Sequence, residues 1–258
     1  MTECACVTAV DGLPRPLRLC VQRAGRHRHV LKSWSWPQQS QHKAEAAILI
    51  PIFASAANHA DALGDNSMTS LSAATTSGQL RLLLTRRARH LRRHAGQMSF
   101  PGGVLEPGDN SLLDTAMRET TEETGVHGSY IQPLGKLGDM LTISGYRLHV
   151  YIGWLQAGFE LQPDPDEVAA VYAADVETAL DARHYHWQPR ETPAGSVQMP
   201  EMVLEQQRVW GITAVIIWHL SCLWHDHQGQ ANSDPSAEFD IASTWQQQTS
   251  TAGRRRQQ

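Results

Sequence analysis

The sequence predicts a mixed α/β (α+β) domain over residues 45–225 of a 258-residue chain. Three observations predict it. Short runs rich in Ile, Leu and Val, bounded by turn residues, recur along this span as buried strands do. A stretch closing at Gly125 carries helix start and stop signals at its two ends. A third stretch, "WGITAVIIWHLSCLW" from Trp210 to Trp224, is apolar almost throughout and interrupted by His219, which suits a buried helix better than a membrane span of ~18 residues.

The ends of the chain read differently. Residues 1–44 are expected to form an extension outside the domain, holding Cys4, Cys6 and Cys20 but no second cysteine pair that would make Cys4-x-Cys6 a zinc site. With Cys222 the total of four gives no disulfide framework, and a reducing compartment is the default. Between Gly12 and Ala44 there is no acidic residue, while Arg15, Arg18, Arg23, Arg26, Arg28, Lys32 and Lys43 accumulate. Acid-poor, Arg-rich leaders direct import into organelles. Prolines, scarce serine, Glu3 and Asp11 argue against that here, so the expected compartment is the cytoplasm, with mitochondrial import the weaker alternative. Residues 226–258, rich in Gln, Ser and Thr, read as a disordered polar tail.

Within the domain, "AAILIPIF" (Ala46 to Phe53) is a buried strand, and Ala54 to Gly78 is a polar hairpin loop or insertion. "QLRLLLTRR" (Gln79 to Arg87) resumes the strand pattern. Further strands are expected at Arg147 to Leu155, Ala169 to Asp175 and Met199 to Gln207. The formal net charge of −4 supplies no general drive toward nucleic acid or a membrane surface, so any phosphate affinity must be local.

The helix before Gly125 is where the sequence becomes informative. Asp109, Asn110 and Ser111 all suit an N-cap, and Gly125 suits the C-terminal stop. At about 100° per residue, Leu113, Ala116, Met117 and Thr120 share a packing face, while Glu119, Glu122 and Glu123 gather on another arc. Like charges at i, i+3 and i+4 repel, and the nearby helix C-terminus disfavours anions. Divalent cations such as Mg²⁺ or Mn²⁺ reverse that cost, because hard ions prefer clustered carboxylate oxygens. Gly102 and Gly103 precede the helix, and a glycine pair lets backbone N–H groups approach a phosphate. A solvated acidic face and a simple turn are the plain alternatives for each feature alone.

Together, Gly103, Arg118, Glu119, Glu122, Glu123 and Gly125 resemble the Nudix box, with "RETTEETG" fitting Arg-Glu-x-x-Glu-Glu-x-Gly. Thr120 stands where that box usually has an apolar residue, and the spacing from Gly103 to Arg118 is one residue longer. "LLTRRARHLRRHAGQMSFPGG" resembles the signature of the coenzyme A pyrophosphatase branch, read here as Leu83, Leu84, Thr85, Arg86, Ala88, Arg92, Gly96 and Phe100 to Gly103. That branch also has the longer box, with acidic residues matched by Glu106 and Asp109. "TISGY", "PDEV" and "VWGITA" look like its later landmarks, but Val150 lies near a place where the branch often has proline.

The resemblance implies a Nudix fold, a mixed sheet sandwiched between helices. It implies metal-dependent cleavage of the pyrophosphate bond of coenzyme A or its derivatives, giving 3′,5′-ADP and 4′-phosphopantetheine. Glu119, Glu122 and Glu123 would be catalytic and hold Mg²⁺ or Mn²⁺, Glu167 would be a candidate general base, and Arg118 and Asp109 would be structural. Gly102 and Gly103 would bind substrate, as would Arg86 and Arg92 from a basic stretch that also holds Arg81, Arg87, Arg89, Arg93, His90 and His94. Arginine suits both the pyrophosphate and the 3′-phosphate of coenzyme A through forked hydrogen bonds. Rival readings are a Nudix hydrolase of ADP-ribose or a dinucleotide, and a non-catalytic nucleotide sensor. The expected partner is a small nucleotide, with no nucleic acid and no membrane; a homodimer is compatible with the sequence, which leaves oligomeric state open.

Overall fold

A computed structural model describes residues 43–55, 78–192 and 195–227, together with Leu13, Leu17, Arg18 and Val21. The rest of the 1–44 stretch, the middle of the 54–78 loop and the tail beyond 227 lie outside the described residues.

Strand β1 (Ala44–Ser55) runs through the centre of the molecule. Its alternation of buried residues feeds two cores, as the pleat requires. Ala46, Ile50, Ile52 and Ala54 join the larger core, and Ala47, Leu49 and Phe53 join the smaller one on the opposite face. On one side β1 pairs in parallel with β6 (Tyr146–Leu155), from Ala44↔Tyr146 to Ile52↔Trp154. On the other it pairs antiparallel with β4 (Gly102–Val104) near its start and with β2 (Gln79–Arg87) near its end. The Ser55↔Gln79 pairing closes the expected hairpin around the polar loop.

β2 also pairs with β3 (Met98–Ser99) and, along its other edge, with β7 (Val168–Asp175). β5 (Ile131–Leu141) completes the seven-stranded mixed sheet beside β6. A second, antiparallel sheet contains β8 (His186–Thr192), β9 (Gly195–Leu204) and β10 (Gln207–Trp210). The expected single strand from Met199 to Gln207 is therefore two strands. Glu205 and Gln206 turn between them with φ of 48° and 59°.

Helix α1 (Leu112–Thr124) covers the smaller core, where Ala116 meets Leu49, Phe53 and Leu83. The short α2 (Val176–Leu180) follows β7. Helix α3 (Ile212–His227) covers the larger core through Val215, Ile216 and Leu220, so the main sheet is sandwiched between helices as expected. None of the described helices is long and apolar enough to cross a membrane. Leu13, Leu17 and Val21, from the stretch expected outside the domain, are buried in the larger core.

Candidate active site

Helix α1 begins where Ser111 caps it, its side chain accepting the Asp114 N–H at 3.1 Å, and ends at Gly125, whose φ of 75° closes the last turn. A Cβ at Gly125 would lie 2.5 Å from the Gln162 carbonyl oxygen, so the chain returns closely past this cap. That return is pinned by Gln162 N–H donating to Thr124 O and Asp164 N–H donating to Glu123 O. It carries Glu167 to the end of α1. Just past β2, the Ala88 N–H donates to Glu167 O at 2.8 Å and fixes the other side of the turn.

The outcome is a carboxylate cluster. Oxygens of Glu119, Glu123 and Glu167 lie within 4.8 Å of one another. Glu122 does not join them: its side chain is 58% exposed and accepts from Arg118 Nη1 at 2.8 Å. Arg118 spends all five N–H donors of its guanidinium. Its Nε and Nη2 fork onto the two oxygens of Asp109, Nη1 serves Glu119 and Glu122, and Nη2 also reaches the Val104 carbonyl. Asp109 further accepts from the Thr115 hydroxyl and the Glu106 N–H. The Arg118 guanidinium, with that N–H, holds the Asp109 carboxyl well below the usual carboxylate range. This knot ties the loop before α1 to the middle of the helix and aims Glu119.

Glu123 departs from the expected division into a packing face and a charged face. It is 2% exposed, in line with Ala116 and Thr120 at i, i+4 and i+7, so it lies on the buried stripe. Burial pushes its carboxyl up to about 8, with Glu119 and Glu167 adding repulsion and Arg87 and Thr85 opposing. Burial also raises Glu119, against the pull of Arg118. Gly103 explains how Glu119 fits: a Cβ there would sit 2.1 Å from Glu119 Oε1. Gly102 abuts β1, with only 2.4 Å between an added Cβ and the Ala47 carbonyl oxygen.

Of the arginines, the structure separates two neighbours. Arg86 shares the sheet face of Leu82 and Leu84, lies 5.8 Å from the Tyr172 ring and contacts Gln207. That is the face away from the glutamates. Arg87 points to them, with Nη1 3.6 Å from Glu123 Oε1, and its buried Nε has no hydrogen-bond partner among the described residues. Arg86, expected to bind substrate, thus lies on the face away from the glutamate cluster, and its neighbour Arg87 lies beside the cluster. Period-two alternation from Thr85 would have identified Arg87, and so would a strict count of Leu-Leu-Thr-x-Arg from Leu83. Arg92 lies exposed on the loop between β2 and β3.

A divalent cation suits this set. Three hard oxygen donors converge, one of them from a buried glutamate whose ionised form is costly until a positive charge arrives. Such a cluster beside a glycine strand suits cation-assisted chemistry on phosphate groups. The sequence matches the NUDIX domain family over residues 68–195. The Nudix hydrolase NudL of Yersinia pestis (strain Pestoides F) is 39% identical over 140 residues, covering 54% of this chain and 70% of that protein. NudL of Yersinia pseudotuberculosis serotype O:1b (strain IP 31758) matches with the same figures. Among solved structures, a MutT/nudix family protein from Enterococcus faecalis aligns with a TM-score of 0.41 and 16% identity over 78% of this chain and 68% of that one. A C. elegans Ap4A hydrolase aligns with a TM-score of 0.37 and 16% identity over 53% of this chain and 83% of that one. The chain belongs to the Nudix hydrolase family, enzymes acting on pyrophosphate bonds of nucleoside diphosphate derivatives.

Proposed function

We propose that the protein hydrolyses the pyrophosphate bond of coenzyme A or its derivatives, releasing 3′,5′-ADP and 4′-phosphopantetheine. One observation carries the reading: the segment resembling the coenzyme A signature wraps the carboxylate cluster. Thr85 and Arg87 reach Glu123 from β2, and Gly103 lies against Glu119 from β4. The residues that suggest the substrate thus border the residues that suit the chemistry.

Glu119 and Glu123 are the inner ligands for Mg²⁺ or Mn²⁺ in this proposal, and Glu122 is an outer one, reached by turning away from Arg118. A bound divalent ion supplies charge neutralisation on the phosphate oxygens and acidifies water. Glu167, exposed at the rim of the cluster, takes the proton of the attacking water. Arg87, partly exposed beside Glu123, presents its guanidinium to a phosphate oxygen, Arg92 approaches the 3′-phosphate from the loop, and the backbone at Gly102 and Gly103 lines the diphosphate. Arg118 and Asp109 hold the frame.

The test is incubation of the pure protein with coenzyme A and Mg²⁺ or Mn²⁺, followed by chromatographic separation of products. Wild type should yield 3′,5′-ADP. Glu123→Gln should lose most activity, and Glu122→Gln should lose less, because Glu122 stands outside the inner cluster. Rapid cleavage of ADP-ribose with no 3′,5′-ADP from coenzyme A would overturn the substrate reading in favour of another Nudix hydrolase. No turnover of any nucleotide would leave a binding sensor.

A further inference from the structure

We infer that Thr85 is a positioning residue for the cation site: relayed from Ser99, its hydroxyl holds the Glu123 carboxylate in the orientation that binds an ion beside Glu119 and Glu167. The inference rests on the reading of these glutamates as cation ligands.

Thr85 is completely buried, and a buried hydroxyl must find hydrogen-bond partners. Its Oγ1 lies 3.3 Å from Glu123 Oε2, 3.1 Å from Ser99 Oγ and 3.4 Å from the Ser99 carbonyl oxygen. A threonine hydroxyl has one hydrogen and two lone pairs. When Ser99 donates its own hydroxyl hydrogen to Thr85 Oγ1, the Thr85 hydrogen is left for one of two acceptors, and the carboxylate at 3.3 Å, once ionised, is a stronger acceptor than the Ser99 carbonyl at 3.4 Å. The relay then runs from half-buried Ser99 through Thr85 to buried Glu123. Valine would fill the same volume here without the need for a partner, so packing alone does not account for a hydroxyl.

The geometry also matches what a ligand requires. The last torsion of a glutamate is broad, so its carboxylate plane is set by neighbours rather than by rotamer preference. Thr85 constrains Oε2, and Arg87 lies 3.6 Å from Oε1. Thr85 itself is held rigidly, paired with Ser99 of β3 on one edge of β2 and with Val171 of β7 on the other. Losing a hydrogen-bond partner of a metal-binding carboxylate typically weakens metal binding by ~10- to 100-fold. Thr85 falls within the segment resembling the coenzyme A signature, yet this role concerns the ion. Its loss should therefore lower activity at limiting Mn²⁺ by the same factor for coenzyme A and for any other substrate, and excess Mn²⁺ should restore it.

The experiment is Mn²⁺ titration of the full chain, followed by electron paramagnetic resonance of the free ion, for wild type, Thr85→Val, Thr85→Ser, Ser99→Ala and Glu123→Gln. Thr85→Val should bind Mn²⁺ about 10-fold more weakly. Thr85→Ser should keep the wild-type constant, and Ser99→Ala should show a smaller loss than Thr85→Val. An unchanged constant in Thr85→Val, with binding lost in Glu123→Gln, overturns the inference alone. An unchanged constant in Glu123→Gln overturns the ligand reading and the inference with it. If circular dichroism shows Thr85→Val unfolded, Ser99→Ala carries the test, and wild-type binding there overturns the relay.

Discussion

Glu123 concentrates the physics of the site in one side chain. It occupies a core position on α1, and burial raises its carboxyl from an ordinary 4.5 to about 8. A carboxyl raised by folding adds stability that is intact below its unfolded value and is lost as pH climbs through the folded one. Cation-free protein should therefore lose melting temperature between about pH 4.5 and 8 more steeply than Glu123→Gln does. Saturating Mn²⁺ should flatten or reverse the difference, since the ion requires the ionised carboxylate. Parallel melting curves for the two proteins across this range would remove the assigned burden from Glu123. Sequence reading located this residue through the box but placed it on the wrong face. Its i+7 relation to Ala116 was visible, yet an anion on a core stripe contradicts the pattern that assigns the stripe, as functional positions do.

Among elements, β4 is short and closely hemmed in, against β1 at Gly102 and against Glu119 at Gly103. Gly103→Ala would drive a methyl into the Glu119 carboxylate at 2.1 Å, so Mn²⁺ affinity should fall sharply while most of the fold survives; wild-type affinity in this variant would contradict the packing. The β9–β10 hairpin makes the opposite kind of prediction. Glu205 and Gln206 both hold positive φ in a two-residue turn, a conformation that favours Asn-Gly. Replacing them by Asn and Gly should raise stability by ~1 kcal/mol in urea unfolding, and a loss would show the turn to be read wrongly. The same residues explain why this hairpin was illegible in the sequence: Glu-Gln lacks the punctuation of a tight turn. Strand β5 was missed for a related reason. Pro133, Gly135 and Gly138 interrupt its alternation, and the pairing with β6 absorbs the breaks as register shifts at Pro133/Gly135 and Lys136/Gly138. By contrast β1, β2, β6, β7 and α1 stood out, each carrying an uninterrupted apolar rhythm or cap residues.

At the scale of the whole molecule, distant segments meet to make both core and site. Glu167 reaches α1 because backbone hydrogen bonds to Thr124, Glu123 and Ala88 steer its turn, and no local pattern announces such an approach. Leu13, Leu17 and Val21 likewise contribute to the larger core from far along the chain. Leu17 is completely buried, so Leu17→Ala should cost ~2–5 kcal/mol in chemical unfolding. An unchanged unfolding midpoint would mean that the domain stands without this segment.

The opposite facing of Arg86 and Arg87 sets a rule for which sequence changes β2 can accept. Swapping one side chain alters one contact, but inserting or deleting a single residue before Thr85 inverts every position that follows. Arg86 would then be turned toward the glutamates, while the threonine and Arg87 left them. Variation among descendants of this chain should accordingly come as replacements along β2, with changes in length confined to the loops at its ends.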